Sequence, residues 1–536
     1  MEMLEDLKAG VGFLTRLPSF LRHPLSVVES RAILKRRLEQ READFVALVR
    51  RAIYDHPPSP YRQLLRLAGC EYEDLEKLVS QDGVEGALRA LFRHGVYLTV
   101  DEFKGRRPAA RGSSAVAVDP ARLRNPLTVF HVPIRSGGSR SRGTPVPIDL
   151  GFVRDCAVNT CLALNARGGA KWLKANWEVP GGGAMFRILK YSSFGAAQVR
   201  WFSQLDPATA GLHPRYRWSA RVMRWGSVLA GVPLPRPQHV PIENPLPIAD
   251  WMAEMLRTGH TPHLFTFPSS AVRLCQAAVD AGTDLTGAQL MVGGEPVTAV
   301  RLATIRRAGA QAVPRYGSIE CGPIGYACVA PAFPDDVHLL HDLHAVIHPE
   351  RNEDHGLPTN ALLISSLRPT APFVLLNVSM GDEATGTKRT CGCPLEQLGW
   401  TTHLHTIRSY EKLTAGGMNF LDTEVIRVLE EVLPVRFGGG PTDYQLLEEE
   451  AEDGRPRLRL LVHPGVGPLD PEALREAFLT GIGPGSGAEK VMTLAWRQAG
   501  MLRVERRAPL ATGSGKILHL HVDRRPSAGT MPGPSK

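Results

Sequence analysis

The clearest pattern of hydrophobic and polar residues lies between residues 259 and 308, where short apolar runs alternate with amphipathic segments. The runs at 264–267 and 290–292 predict strands, and the segments at 271–281 and 298–308 predict helices. Strands that alternate with helices in this way indicate βαβ units and a largely parallel sheet. Because ligands of such sheets bind at the carboxyl ends of the strands, we expect function in the loops that follow them.

The same kind of pattern sets the outline of the rest of the chain. Residues 30–52 have helical spacing of apolar side chains among Arg and Glu. Past residue 404 the composition changes, and helical segments alternate with strand-like runs that predict a small α+β domain. We therefore predict an α/β protein whose large domain is built on mixed, largely parallel sheets with flanking helices. The predicted boundaries are 1–406 for this N-terminal domain, 407–525 for a mobile C-terminal α+β domain and 526–536 for a disordered tail.

Two predicted loops have the composition of ligand-binding loops. The turn Tyr316-Gly317-Ser318-Ile319-Glu320 places one acid among small residues, where a carboxylate can bind Mg²⁺ beside phosphates. Residues 135–145 combine Ser, Gly and Thr with arginines, so their N–H and hydroxyl groups can bind an anion. This loop is not a Walker A motif, because the Gly-Lys-Ser/Thr ending is missing. A turn without function is the alternative interpretation of each loop.

Composition narrows the class of protein. The chain has 536 residues, of which 43% are hydrophobic and 22% charged, as is usual for globular proteins. It lacks an apolar run of roughly eighteen residues for a membrane span and an apolar segment typical of a signal peptide. Eight unevenly spaced cysteines indicate a reducing cytoplasm, with metal binding by some of them. The net charge of +9 is scattered along the chain, which argues against nucleic-acid binding.

One stretch, residues 167–236, is both basic and rich in tryptophan. It has 11 Lys and Arg residues against two acids, with five tryptophans among them. Such a stretch suits a membrane surface, a nucleic acid or an anionic cosubstrate. A solvated insertion whose tryptophans belong to the core is an equal alternative. We treat the stretch as an insertion in the large domain and do not expect peripheral membrane contact.

Taken in order, these segments resemble the adenylate-forming superfamily, and within it the phenylacetate–CoA ligase branch, over nearly the full length. The early part of the likeness is Tyr61-Arg62 after a Pro-rich turn and the segment from Val96 to Phe103. The later part comprises Ser136-Gly137-Gly138-Ser139 to Gly143-Thr144-Pro145, Gly293-Gly294-Glu295-Pro296, Tyr316-Gly317-Ser318-Ile319-Glu320, Asp382, and the segment from Arg507 to Lys516.

The resemblance implies an ATP-dependent, AMP-forming ligase that makes an acyl-adenylate and passes the acyl group to a thiol, either that of CoA or the phosphopantetheine arm of an acyl carrier protein. It implies catalytic roles for Lys516, which would reach the substrate carboxylate and the α-phosphate, for Glu320, which would hold Mg²⁺, and for Arg408 beside the hinge. The nucleotide-binding residues would be Ser136, Gly137, Gly138, Ser139, Arg140, Arg142, Gly143, Thr144, Gly294, Glu295, Pro296, Tyr316, Gly317, Ser318 and Asp382.

The substrate acid is expected to bind at Phe267, Pro268 and Ser269, which suits an aryl or other apolar carboxylate. The phosphate loop departs from the family, because Thr144 stands where lysine is common and Arg140 and Arg142 are inserted. The hinge also lacks the family's paired aspartates. A degenerate homologue that binds a nucleotide or a partner without catalysis is therefore an alternative. Another is an enzyme that passes the acyl group to an amine or a protein.

A structural zinc ion is a further implication of the resemblance. Some members of the branch carry one, and here Cys328, His338, Cys391 and Cys393 fall where its ligands would lie. Three cysteines and one histidine make an acceptable tetrahedral set. The alternative is that these are buried cysteines without a metal.

Overall fold

The computed structural model describes the residues 12–13, 15–128, 132–135, 145–179, 181–206, 225, 227–228, 231–349, 356–410, 414–415, 418–419, 422–450, 456–482 and 502–523. The chain forms two compact units, the first ending at Arg408 and the second containing everything from Ser409 onward. The tail predicted to be disordered, 526–536, lies outside the described residues. Within those residues, no helix has both the length and the apolar character that crossing a bilayer requires.

A twelve-stranded mixed sheet forms the centre of the first unit. The strands of this unit are β1 (Ala109–Arg111), β2 (Ser114–Val116), β3 (Val132–Arg135), β4 (Pro145–Ile148), β5 (Leu173–Glu178), β6 (Arg200–Ser203), β7 (Pro237–His239), β8 (Pro262–Thr266), β9 (Gln289–Val292), β10 (Gln311–Ser318), β11 (Gly322–Ala327), β12 (Val337–Leu339), β13 (His344–Ile347), β14 (Ala361–Ser366), β15 (Val378–Lys388) and β16 (Thr402–Ser409). In the sheet they run in the order β13-β14-β15-β16-β12-β11-β10-β9-β8-β5-β6-β7, while β1–β2 and β3–β4 are separate hairpins.

Six adjacent strands of the sheet, in the order β7-β6-β5-β8-β9-β10, are parallel to one another. Beyond β10 the sheet continues through β11, β12 and β16, and each of these pairs with the strand before it in the antiparallel direction. The predicted α/β class with a largely parallel region is confirmed. The pattern between residues 259 and 308 gives β8, the helix Pro268–Asp280, β9 and the helix Ala299–Arg307, as predicted. Proline at the first position of the helix Pro268–Asp280 fits, because its fixed φ suits a helix start and no N–H is needed there.

Among the described residues, the first unit also contains ten helices with defined ends, and five of them precede the first strand in the chain. They are Val27–Glu39, Arg41–Val49, Pro60–Leu67, Tyr72–Arg93, Val100–Phe103, Leu150–Asn165, Gly182–Ser192, Leu246–Arg257, Pro268–Asp280 and Ala299–Arg307, with shorter helical turns at Arg50–Tyr54, Pro120–Leu123, Gly169–Lys171 and Glu396–Leu398. The first of them begins at a capping box, in which the side chains of Ser26 and Glu29 each accept a backbone N–H of the other residue. Gln40 has φ −100° and ψ 11°, so the periodic segment 30–52 is broken into two helices.

Buried polar contacts tie the N-terminal helices to the sheet. Arg37, only 4% exposed, pairs with Asp155 and lies 3.2 Å from Asp342, which joins the first helix to the rest of the unit. Asn377 precedes β15 with a left-handed φ of 51°. The side-chain nitrogen Nδ2 of Asn377 donates hydrogen bonds to the backbone carbonyl oxygens of Leu88 at 2.8 Å and Val96 at 3.1 Å. These bonds fix an unfavourable conformation at the start of β15.

The basic, Trp-rich stretch contributes to the sheet itself. β5 and β6 both lie within residues 167–236, and β5 is paired on both sides, with β6 and with β8. Trp177 is fully buried and Trp201 is 1% exposed, so these two tryptophans belong to the core. Trp225, by contrast, is 71% exposed. The tryptophans of this stretch therefore do not form one class, since two are core residues and one is exposed to solvent.

The second unit is a small α+β domain, as predicted. A hairpin of β17 (Thr414–Ala415) and β18 (Met418–Asn419) precedes a sheet of β19 (Tyr444–Glu450), β20 (Pro456–Val462), β21 (Leu502–Arg506) and β22 (Leu520–Asp523). The sheet order is β21-β20-β19-β22. The helical segments of this unit are Asp422–Arg427, Val428–Val432, Leu433–Phe437 and Pro471–Ile482. The apolar faces of sheet and helices, including Leu460 and Phe478, form a core of their own.

Candidate active site

The turn with the single acid connects β10 and β11, which pair as antiparallel neighbours with a bulge between Tyr316 and Gly317. The Ser318 hydroxyl oxygen accepts the Cys321 N–H at 3.0 Å, which closes the turn. A Cβ atom at Gly317 would lie 2.3 Å from the carbonyl oxygen of Gly322, so only glycine fits here. Glu320 is half-buried at the tip of this turn.

Two predicted nucleotide-binding residues from distant parts of the chain meet beside this turn. The Tyr316 hydroxyl, on β10, donates a hydrogen bond of 3.1 Å to a carboxylate oxygen of Asp382, on β15. Burial and the neighbouring carboxylate raise the pKa of Tyr316 well above its ordinary value, so the hydroxyl keeps its proton. Among the described residues, Tyr316 is the one hydrogen-bond donor to Asp382. The second carboxylate oxygen is left for other partners.

The loop of residues 293–296 follows β9 and lies close to β10. A Cβ atom at Gly293 would come within 2.5 Å of the Arg315 carbonyl oxygen, and Gly294 has φ +87°. The Glu295 carboxylate accepts the N–H of Ser269 at 2.9 Å and its hydroxyl at 2.8 Å. It also forms an ion pair of 2.9 Å with Arg301. This carboxylate is engaged within the protein, so a nucleotide at this loop would meet its backbone and Pro296.

The predicted acid pocket lies at the start of the helix Pro268–Asp280. Phe267 precedes this helix with an extended backbone and is 8% exposed, and Pro268 and Ser269 are buried. Ser269 is the residue that Glu295 binds. The structure thus brings the predicted acid pocket into direct contact with Glu295, one of the predicted nucleotide-binding residues.

Arg408 lies near the end of β16 and is held by one carboxylate. Asp335 accepts the N–H groups of Thr406 at 2.9 Å and Ile407 at 2.7 Å and pairs with the Arg408 guanidinium at 3.1 Å. Glu383, the residue after Asp382, lies close enough to Arg408 for the positive charge of the arginine to affect its pKa. Burial raises the pKa of Glu383, and the positive charge of Arg408 partly offsets this.

Lys516 lies in the second unit, in a tight loop before β22. Its backbone N–H donates to the Thr512 hydroxyl at 3.1 Å, and the Thr512 N–H donates to the Lys516 carbonyl at 2.8 Å. Gly515 has φ +82°, a conformation that favours glycine within this loop. The lysine side chain is half-buried.

The predicted phosphate loop follows β3 and ends at β4, which pair as a hairpin from Val132–Ile148 to Arg135–Pro145. Its predicted nucleotide-binding residues lie outside the described residues: Ser136, Gly137, Gly138, Ser139, Arg140, Arg142, Gly143 and Thr144.

The four predicted zinc ligands come together at one place in the first unit. The His338 Nε2 atom lies 3.7 Å from the Cys391 sulfur and 3.2 Å from the Cys393 sulfur. The sulfurs of Cys328 and Cys393 are 4.0 Å apart. A tetrahedral zinc site has donor atoms about 3.3–3.8 Å apart, given its bond lengths. The three distances lie within or about 0.2 Å outside this range, so the atoms that they join are close enough together to share a metal ion.

The protonation of His338 also fits a metal ligand. Its Nδ1–H donates to the Trp400 carbonyl at 2.6 Å, which leaves the Nε2 lone pair directed at the sulfurs. Burial lowers the pKa of His338 to about 4, so the ring is neutral at pH 7, which is the form that binds metals. His403 lies beside this cluster and was missed from the sequence. It is on β16, opposite His338 on β12, and this pairing joins strands far apart in the chain.

No family model matches the chain, and neither does any curated protein. Solved structures do match. One is 2-hydroxyisobutyryl-CoA ligase in the postadenylation state with R3-HIB-AMP, at a TM-score of 0.51 and 17% identity, over 94% of this chain and 91% of that chain. The chain has the adenylate-forming ligase fold.

Two further structures with this fold align less well. The thioesterification state of the same ligase, with 2-HIB-AMP and CoA, gives a TM-score of 0.45 and 16% identity over 94% of this chain and 91% of that chain. The amide bond synthetase McbA from Marinactinospora thermotolerans gives 0.41 and 14%, over 87% and 92%. The predicted fold is confirmed, and membership of the adenylate-forming superfamily and of its phenylacetate–CoA ligase branch stays a prediction.

Proposed function

We propose that the protein is an ATP-dependent carboxylic acid ligase that forms an acyl-adenylate and transfers the acyl group to a thiol. The observation that supports this most is the contact between Tyr316 and Asp382 beside the turn that carries Glu320. A carboxylate with one oxygen bound and one open can accept hydroxyl protons of a ribose. The aromatic ring of Tyr316 is positioned by the same bond.

The reaction needs charge neutralisation and orientation more than covalent help. A carboxylate oxygen of the substrate attacks the α-phosphorus of ATP, and the bond from this phosphorus to pyrophosphate breaks. A thiol then loses its proton, its sulfur attacks the acyl carbon, and the bond to AMP breaks. Both reactants of the first step are anions, so positive groups must face them. We assign this role to Lys516 and to the arginines of the phosphate loop.

Glu320 is the acid that we assign to Mg²⁺. It is half-buried, and it is the one acid in the turn between β10 and β11. When bound, Mg²⁺ would neutralise charge on the phosphate oxygens. Arg408 is assigned a positioning role beside the predicted hinge, because its guanidinium is anchored to Asp335 rather than free in solvent. The predicted domains 1–406 and 407–525 stay a prediction, as does the mobile role of the smaller one.

An aryl or other apolar acid is the substrate class that we propose. Phe267 and Pro268 are both buried at the start of their helix, and the adjacent Ser269 is occupied by Glu295. The one carboxylate at this end of the helix, that of Glu295, is already paired with Arg301, so the side chains that we assign to the acid are the apolar Phe267 and Pro268. CoA or a phosphopantetheine arm is the proposed acceptor. A cytoplasmic location is our proposal too, and it agrees with eight described cysteines of which none forms a disulfide.

A hydroxamate assay over a panel of aryl and fatty acids tests the function, because hydroxylamine traps an acyl-adenylate without the natural acceptor. Pyrophosphate release is measured in parallel. We expect acid-dependent signals from the wild type, loss of about 100-fold in Asp382→Asn and in Lys516→Ala, and no change in the control Glu73→Gln, an exposed acid on a remote helix. Equal background in the wild type and Lys516→Ala would favour the alternative of a nucleotide- or partner-binding homologue.

We also propose a structural zinc centre formed by Cys328, His338, Cys391 and Cys393. The donor distances and the Nδ1–H bond of His338 support it. Zinc would link β11 and β12 to the segment after β15. Elemental analysis of the purified protein should find one zinc ion per chain. Removal of zinc by a chelator should lower the thermal midpoint of unfolding. Cys391→Ser should contain less zinc or none, and the chelator should change its thermal midpoint little or not at all.

A further inference from the structure

His403 lies as close to Cys328, His338 and Cys391, three of the predicted zinc ligands, as these lie to one another. Its ring centroid lies 4.1 Å from that of His338, and its side chain is 1% exposed. The ligand atoms of Cys328, His338, Cys391 and His403 all lie within 4.8 Å of one another. Cys393 adds a fifth donor, close to Cys328 and His338. A tetrahedral metal ion takes only four.

The hydrogen bonding of His403 leaves one nitrogen free for a metal. Its Nδ1 atom lies 2.7 Å from a carboxylate oxygen of Asp336 and 3.3 Å from a guanidinium nitrogen of Arg389. The shorter contact is the one to the carboxylate, which can only accept, so Nδ1 carries the proton and donates it to Asp336. Nε2 then has the lone pair. This atom is buried and has no hydrogen-bond partner among the described residues. A histidine whose far nitrogen donates to a carboxylate is the arrangement that orients metal-bound imidazoles.

The same arrangement recurs in His338, whose Nδ1–H donates to the Trp400 carbonyl. The two imidazoles therefore approach the cluster from neighbouring strands, each with its Nδ1 fixed by a buried acceptor. A purely structural role for His403 as the partner of Asp336 would account for its Nδ1 atom but not for a second ring nitrogen that is buried without a hydrogen-bond partner among the described residues. The buried, unpartnered Nε2 atom is the observation that favours a ligand.

We propose that the metal centre has two overlapping donor sets, which share Cys328, His338 and Cys391 and have Cys393 and His403 as alternative fourth ligands. This inference rests on the metal centre proposed above. The first set has three thiolates and one imidazole, and the second has two of each. Both are sets that Zn²⁺ and Co²⁺ accept. The centre would thus keep its metal when Cys393 is lost as a thiolate.

The test uses the full-length protein, loaded with Co²⁺ as a spectroscopic substitute for zinc. We compare the wild type, Cys393→Ser, His403→Asn and the double variant. His405→Asn is the matched control, because His405 lies on the same strand but stacks on Phe333, at a ring distance of 3.8 Å. Metal content is measured after dialysis against a weak chelator, and the thiolate-to-cobalt absorption reports the number of bound sulfurs. Circular dichroism verifies folding.

We expect one metal ion per chain in both single variants and in the control, and loss of metal only in the double variant. The thiolate-to-cobalt absorption of Cys393→Ser should fall to about two thirds of the wild-type value, because two of three thiolates remain. A folded Cys393→Ser that loses its metal as completely as the double variant would overturn the proposal. Cys393→Ala, which offers no oxygen donor, repeats the test if the serine variant does not fold. Absence of metal from the wild type would instead refute the metal centre itself.

Discussion

The hydroxyl of Tyr316 donates a hydrogen bond to the carboxylate of Asp382 across 66 residues of sequence. The two residues lie on β10 and β15, which are not neighbours in the sheet. The bond therefore connects two strands that have β16, β12 and β11 between them in the sheet. It also holds an aromatic ring and a carboxylate together beside the turn that carries Glu320.

Tyr316→Phe should weaken ATP binding while the fold persists. The ring stays, but the donor to the carboxylate is lost, and a hydrogen bond to a charged group is worth about 1.5–3 kcal/mol. We expect KM for ATP in the pyrophosphate assay to rise about tenfold. Tyr54→Phe is the control, because it loses a comparable bond to the Cys70 carbonyl far from the site. An unchanged KM for ATP in Tyr316→Phe would show that the bond does not position the nucleotide.

Gly317→Ala should destabilise the hairpin of β10 and β11. Its Cβ atom would lie 2.3 Å from the Gly322 carbonyl oxygen, so the strands must move apart. Overpacking of this kind costs about 1–3 kcal/mol, which urea unfolding would measure. Gly467→Ala is the matched control, since a Cβ atom there meets nothing within 4 Å. Equal stability of the two variants would contradict the close contact.

Glu295→Gln should destabilise the first unit strongly. Its side chain is fully buried and pairs with Arg301, which is 2% exposed. Neutralising one partner of such a pair leaves a buried charge, at a cost of about 3 kcal/mol. In the control Glu472→Gln the lost partner is Arg475, and this pair is exposed, so little change is expected. A loss of stability in Glu295→Gln no larger than that of the control would contradict the prediction. A stable Glu295→Gln could then be used to measure KM for ATP, which would show whether Glu295 acts directly on the nucleotide.

Acid should destabilise the protein through His263. Burial first, and then the charges of Lys174 and Arg167, lower the pKa of this histidine to about 3. The unfolded chain binds a proton near pH 6.5, whereas the folded chain does not, so stability present above pH 6.5 is lost as the pH falls toward 3. The contribution is about 1.4 kcal/mol per pH unit in this range.

The measurement is urea unfolding between pH 7 and pH 4. In His263→Leu the stability should decline less steeply with acid than in the wild type, because the buried ring no longer titrates. His260→Leu, at an exposed position nearby, should keep the wild-type slope. Parallel slopes in all three proteins would show that His263 is not protonated on unfolding in this range.

Local patterns of the sequence were enough to predict the βαβ region and its loops. The alternation between residues 259 and 308 reflects short elements that each pack on the sheet next to them. β5 was hidden, because Lys174, Asn176 and Glu178 are buried among apolar neighbours and disguise a central strand as a polar stretch. Their partners, such as Arg187 for Glu178, become visible only in three dimensions.

The site shows the same division. Asp382 and the Tyr316 turn were predicted through the family resemblance, and the structure brings them together. The contact between Glu295 and Ser269 was not predicted, although both were named as binding residues, because 26 residues of sequence separate them. His403 was missed for a related reason. Its proximity to His338 depends on the pairing of β12 with β16, which no local pattern reveals.

The left-handed conformation of Asn377 has a consequence for any attempt to shorten the protein. Its amide is held by the carbonyl oxygens of Leu88 and Val96, and its own strand leads to Asp382. A fragment that begins after residue 105 would retain every predicted site residue and still lose both anchoring carbonyls. The N-terminal helices thus support the strand that carries Asp382, and a shortened protein that keeps this carboxylate in place for its proposed role must include them.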